Sequence, residues 1–124
     1  MQVRGFFESF QYAVSGVGYA LRTQRNLRVH FVAGSAVLAA SVYLGVNRHD
    51  LLILFFAISL VLITEMVNTA IETAVDLYIN TFHPLAKIAK NVAAGAVLVS
   101  AINAVLVGIF VFYDYLAALL RRLF

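Results

Sequence analysis

From Leu51 to Ile63 every residue but Ser59 is apolar, and nothing between Ile63 and Asp76 breaks a helix. One helix through both stretches would keep its apolar half in a bilayer and carry its acidic half out of it. At about 100° per residue, Glu65, Asn68, Glu72 and Asp76 fall at roughly 0°, 300°, 340° and 20°, one arc of roughly 80°. With a rise of about 1.5 Å per residue, they form a ladder roughly 16 Å long. Three carboxylates and an amide on one stripe repel each other unless something cationic sits there: a divalent metal, a basic side chain or a phosphate-bound cation. This stripe is where chemistry is expected.

The rest of the chain leaves few other places to look. Of its 124 residues 63% are hydrophobic and 12% charged, with a mean hydropathy of +0.92. A globular domain usually runs near 45–50% apolar and about 25% charged. So small a chain cannot hide that much apolar surface within itself, and lipid must cover the remainder. The expected class is an all-α integral membrane protein, one domain over residues 1–124. The absence of cysteine excludes disulfides and thiolate metal sites. A net charge of +3, widely dispersed, does not argue for nucleic acid. The first 28 residues lack an uninterrupted apolar core and a small-residue cleavage site, so no removable signal peptide is expected.

Residues 3–21 read as an amphipathic helix on the membrane surface. Around Phe6, the residues Val3, Phe7, Phe10, Ala13, Val14, Val17 and Leu21 cluster within roughly 120° of arc, opposite Arg4, Glu8, Gln11 and Ser15. Tyr12 and Tyr19 fall on the polar side, where interfacial anchoring is a sufficient reason for them. Gly16-Val17-Gly18 neither follows a strand nor completes a glycine fingerprint, so it is no phosphate loop. Arg22, Arg25 and Arg28 precede the first span, residues 29–46, just long enough to cross. Asp50 suits the N-cap of the next helix. That helix, residues 51–79, is too long for hydrocarbon alone and projects a foot into water. Pro84 fits the first turn of a third helix, residues 85–120, whose Ala93, Ala94, Gly95 and Ala96 permit close approach of a neighbour. Arg4, Arg22, Arg25, Arg28, Lys87 and Lys90 fall on one side of the spans and Arg48, Arg121 and Arg122 on the other. That bias places the ladder in the cytoplasm.

An ionised carboxylate deep in a membrane costs about 2.5–3.5 kcal/mol on insertion scales, less at the boundary where Glu65 lies. A structural carboxylate paired with Lys90 or an arginine is one reading of it. With Asn68, Glu72 and Asp76 on the same stripe, a functional role is the better one, with Glu65 as a base and Glu72 and Asp76 on the metal or phosphate side. Lys87, Lys90 and Asn91 stand across the 80–84 turn from the ladder. Lys90 can neutralise the stripe or meet a phosphate, although a snorkelling lysine is also ordinary. His49 reads as a solvated turn residue and His30 as a helix-start residue near the headgroups. His83 beside Pro84 could touch a ligand, with a turn role the simpler reading. The three histidines show no metal-binding spacing. With no nucleotide-binding loop and no protein-kinase catalytic loop, the residues point to phosphoryl transfer to a hydroxyl that cannot leave the membrane.

The stretch Glu65-Met-Val-Asn68-Thr-Ala-Ile-Glu72-Thr-Ala-Val-Asp76 resembles the small prokaryotic diacylglycerol kinase / undecaprenol kinase family, as does Ala86-Lys-Ile-Ala-Lys90-Asn91-Val-Ala-Ala-Gly-Ala-Val-Leu98. Arg25-Asn26-Leu27-Arg28-Val29-His30 and Phe10-Gln-Tyr12-Ala are similar to it too. The resemblance implies a homotrimer of helical bundles, each a surface helix with three transmembrane helices. It implies active sites shared between subunits on the cytoplasmic side of a bacterial inner membrane, where Mg·ATP phosphorylates a lipid alcohol. By the same resemblance Glu65 is the general base and Glu72 a metal-binding carboxylate, with Asn68 and Asp76 in support. Lys90 contacts phosphate, and Tyr12 and His83 lie beside the nucleotide. Two positions depart from the family. Gln24 stands where a glutamate usually serves as second metal ligand, and Asn91 where an aspartate usually follows the lysine. Each amide still accepts a hydrogen bond but brings no charge to Mg²⁺. Basic residues usual in the first helix are also missing, at Ser15 and Gly18. The wording of the two main motifs looks closer to the undecaprenol branch, with diacylglycerol the other acceptor. The rival readings are a nucleotide-binding member that has lost activity and, outside the kinases, a cation- or proton-conducting oligomer. Leu51–Ile63 offers conduction no polar route.

Overall fold

A computed structural model of the chain describes residues 5–124, so Val3 and Arg4 of the expected surface helix lie outside the described residues. It consists of four α-helices: α1 (Phe6–Thr23), α2 (Arg25–Tyr43), α3 (Arg48–Tyr78) and α4 (Pro84–Leu123). Among the described residues there is no strand. Two helices, α3 and α4, are long and apolar enough to cross a membrane. The apolar run and the acidic ladder do share one rod, since α3 is unbroken through both.

The helix ends differ from the sequence expectation for identifiable reasons. Only Gln24, extended at φ −102°, ψ 111°, separates α1 from α2. Arg25 and Arg28 therefore lie within α2 rather than before it. The Arg28 guanidinium donates from Nη1 to the carbonyls of Leu21 (3.0 Å) and Arg22 (2.8 Å), filling acceptors left over at the end of α1 and fixing that corner. At the other end α2 stops at Tyr43, short of Val46. Gly45 takes φ +68°, a left-handed conformation that glycine adopts without penalty. The Gly45 N–H donates to Val42 O and the Val46 N–H to Ser41 O, the paired bonds of a glycine-terminated helix. The N-cap of α3 is Asn47, not Asp50. Its Oδ1 accepts from the Asp50 N–H at 2.9 Å, while its Nδ2 donates to Asp50 Oδ2 at 2.7 Å. Asp50 thus answers the cap through the Asn47 side chain, while the Asn47 backbone N–H, which a capping box would use, donates to Tyr115 instead. Pro84 does occupy the first turn of α4.

α3 runs down the middle of the molecule, packed against α4 along its length and against α2 more briefly; α1 touches α2 and α3. The α3–α4 register is antiparallel. Asp76 meets Lys90, Thr64 meets Ser100, and Asn47 meets Tyr115. The side-chain core is small. Val46, Leu54 and Val111 are buried together near the α2–α3 turn, with Val37, Leu51 and Phe112 against them. Where lipid replaces water, the apolar driving force between helices falls away, and close packing with interhelical hydrogen bonds takes over. Gly34 lets α2 lie close on α3: an added Cβ there would be 2.5 Å from Ile58 Cγ2. The Thr64–Ser100 hydroxyl pair, 2.8 Å apart, ties α3 to α4. The small-residue run of α4 does less than expected within one chain. Ala93 is buried, but Ala94 and Ala96 are exposed and a Cβ at Gly95 would meet nothing within 4 Å.

Candidate functional site

The ladder grades from buried to wet along α3. Glu65 is 5% exposed, Asn68 and Glu72 are half-buried, and Asp76 is exposed. Each side chain has a different neighbour. Glu65 faces α2, where His30 Nε2 lies 3.5 Å from its Oε1. The Asn68 amide donates from Nδ2 to Glu72 Oε1 at 3.2 Å. Asp76 is paired with the Lys90 ammonium of α4. A pair as exposed as Asp76–Lys90 contributes about 0–1 kcal/mol, so its weight lies in placing charge rather than in holding the helices.

This distribution corrects two expectations. Lys90 neutralises the stripe at its wet end, at Asp76, and neither it nor an arginine is the partner of Glu65. His30 does not stand at a helix start. Because α2 begins at Arg25, His30 lies in its second turn, half-buried, on the side facing α3. Its proximity to Glu65 was not legible in the sequence, because it depends on the register between two helices. The one available signal was its place at the end of the Arg25–His30 motif.

At the wet end Asp76, His83, Lys87, Lys90 and Asn91 line one groove of about 290 Å³ between the end of α3 and the start of α4. His83 has the turn role as well. It is the N-cap of α4, and its Nδ1 accepts from the Leu85 N–H at 3.2 Å. Gln24 sits half-buried at the α1–α2 corner, its side chain making no capping bond, while Tyr12 is exposed on α1. Both lie on or beside the helix that touches α2 and α3. Among the described residues no three His, Cys, Asp or Glu side chains gather as a metal cluster within one chain. One buried acceptor is left over in the ladder. Asn68 Oδ1 is buried without a hydrogen-bond partner, next to a carboxylate. An acceptor oxygen in that state is costly unless a donor or a cation reaches it.

A family profile described as prokaryotic diacylglycerol kinase matches residues 11–112, which includes the whole ladder, Lys90 and the corner at Gln24. The chain belongs to the prokaryotic diacylglycerol kinase family. It is 50% identical over 101 residues to a diacylglycerol kinase of Synechocystis, covering 81% of this chain and 58% of that protein. It is 39% identical over 111 residues to an undecaprenol kinase of Bacillus subtilis, covering 90% of each. A diacylglycerol kinase of Escherichia coli is 33% identical over 104 residues, covering 78% of this chain and 85% of that one. Membership of the diacylglycerol kinase family makes this an enzyme of the lipid kinase class and a membrane protein. The conducting-oligomer reading falls with it.

Proposed function

We propose that the chain transfers the γ-phosphoryl group of ATP, in the presence of Mg²⁺, to the hydroxyl of a membrane lipid alcohol, with undecaprenol as the acceptor. The observation that carries this reading is the buried Glu65 carboxylate, placed where the apolar half of α3 gives way to its acidic half. There a base can meet a hydroxyl still held in lipid, within one helix of the groups that would hold a nucleotide. Glu65 takes the hydroxyl proton as the lipid oxygen attacks the γ-phosphorus. The new O–P bond forms while the bond to the bridging oxygen of ADP breaks, and ADP departs with that electron pair. Lys90 and His83 at the groove contact phosphate and nucleotide, with Tyr12 beside them and Asp76 holding the lysine in place. Asn91 follows Lys90 on the same groove wall.

The oxygen-only set at Glu72 and Asn68 suits a hard divalent cation. These two, with the Gln24 amide oxygen from the corner, would hold Mg²⁺. When bound, it supplies positive charge to the phosphate oxygens. What this chain's own residues do is position: Asn68 orients Glu72 through its amide, and Arg28 secures the corner that carries Gln24. α2 crosses the bilayer as a third span, with its Phe31, Val32 and Val42 exposed to lipid or to a second copy. α1 lies on the cytoplasmic surface of the inner membrane with its Phe6, Phe7 and Phe10 in the headgroups. Three chains assemble with shared sites, and residues 1–124 form one domain.

Diacylglycerol is the second reading, favoured by the name of the Synechocystis relative at 50% identity. Transfer of labelled phosphate from ATP to undecaprenol and to diacylglycerol, both present in the same mixed micelles, decides between them. Label chiefly in undecaprenol is expected. Label chiefly in diacylglycerol exchanges the acceptors, and label in neither overturns the kinase reading for this chain.

A further inference from the structure

The ladder's charges are partnered one by one: Asp76 by Lys90, Glu72 by the Asn68 amide, and Glu65 by His30. The last pair differs from the others in depth. The Glu65 side chain is 6% exposed and the imidazole 32%. A contact of this kind is stronger in low dielectric than at a wet surface. His30 is also the one polar side chain on an apolar groove of about 330 Å³ between α2, α3 and α4, which runs past Gly34, Ala57, Ala101 and Gly108. The imidazole therefore stands where apolar volume meets the carboxylate. A glutamate has three side-chain torsions, and without a partner its carboxylate would sample several directions at the boundary. An imidazole suits this place better than an ammonium, because one ring N–H can donate without imposing a permanent charge on a site inside the bilayer edge.

We propose that His30 is a positioning residue for phosphoryl transfer, holding Oε1 of Glu65 through Nε2 so that Oε2 is presented to the lipid hydroxyl. The inference rests on Glu65 being the base. His30 itself touches neither phosphate nor nucleotide and exchanges no proton with the substrate. Its effect falls on the rate of the chemical step and not on ATP binding, because misplacing a reacting group by about 1 Å can cost about a hundredfold.

The test uses the full chain in lipid–detergent micelles with three variants. His30→Leu is expected to lower kcat about 10- to 100-fold with KM for ATP within about twofold of the parent. His30→Gln, whose amide nitrogen reaches a similar place, is expected to recover kcat to within about fivefold. Parent-like kcat in His30→Leu overturns the proposal, as does His30→Gln as slow as His30→Leu, or a defect confined to KM for ATP. Glu65→Gln separates the two levels. If it is inactive while His30→Leu keeps the parent rate, only the role of His30 falls. If Glu65→Gln itself retains the parent rate, the base reading falls and the role of His30 with it.

Discussion

The two ends of α3 handle polar groups in opposite ways. At its start, Asn47, Asp50 and Tyr115 satisfy one another. The phenol oxygen accepts from both the Asn47 backbone N–H (3.0 Å) and its Nδ2 (3.1 Å), and its hydroxyl lies 3.5 Å from Asp50 Oδ2. Val46, Leu54 and Val111 close the same end with the only buried apolar cluster among the described residues. At the far end the side chains are paired thinly. Glu65 has an imidazole at 3.5 Å, Asp76 an exposed lysine, and Asn68 Oδ1 has no partner. One end is complete in itself and holds the helices together. The other keeps one buried acceptor, Asn68 Oδ1, without a partner among the described residues.

Substitutions that act on one end and leave the other alone test that contrast. The largest effect is expected at the ladder. Glu72→Gln removes the carboxylate to which the Asn68 amide donates and should lower phosphoryl transfer about a hundredfold at fixed Mg²⁺, partly recovered as Mg²⁺ is raised. Conversely, Gln24→Glu with Asn91→Asp should raise Mg²⁺ affinity and turnover. Titrating activity against Mg²⁺ measures both, and an unchanged Mg²⁺ dependence in either would remove Glu72 and Gln24 from the metal site. Next comes Gly34→Ala in the middle of the molecule. Its Cβ would be forced against Ile58 Cγ2, and overpacking of this kind costs about 1–3 kcal/mol. Thermal unfolding in detergent should show the loss, and Ile58→Ala in the same chain should restore it. The smallest effect belongs to the complete end. Tyr115→Phe deletes the shared hydroxyl and should cost about 1 kcal/mol with activity within about twofold. A large loss of activity there would mean that the two ends are coupled.

How much of this was readable from residues alone depends on the distance over which each feature is decided. The first helix, the long rod of α3 and Pro84 opening the last helix follow from local periodicity and turn chemistry. The stop at Gly45 was misplaced because apolar patterning ran straight through it, and a glycine that can turn left-handed carries little weight against a hydrophobic run. The start of α2 was misplaced for the opposite reason: the polar stretch around Gln24 read as a lead-in to the span, although Arg25 and Arg28 are already helical. Within the site, the spacing of Glu65, Asn68, Glu72 and Asp76 put them on one stripe, and the nearness of Lys90 followed from a short connection.

By itself, then, the amino-acid order determined a membrane-bound set of helical rods and one acidic stripe. Helix formation repeats every 3.6 residues and is settled between near neighbours. Only the tertiary structure decided that Lys90 serves Asp76 while His30 serves Glu65, and that Asn68 keeps a buried oxygen without a partner. Those pairings depend on how far α2 and α4 slide along α3. That sliding is set by contacts such as Gly34 against Ile58 and Thr64 against Ser100, between residues whose separation along the chain says nothing of their meeting.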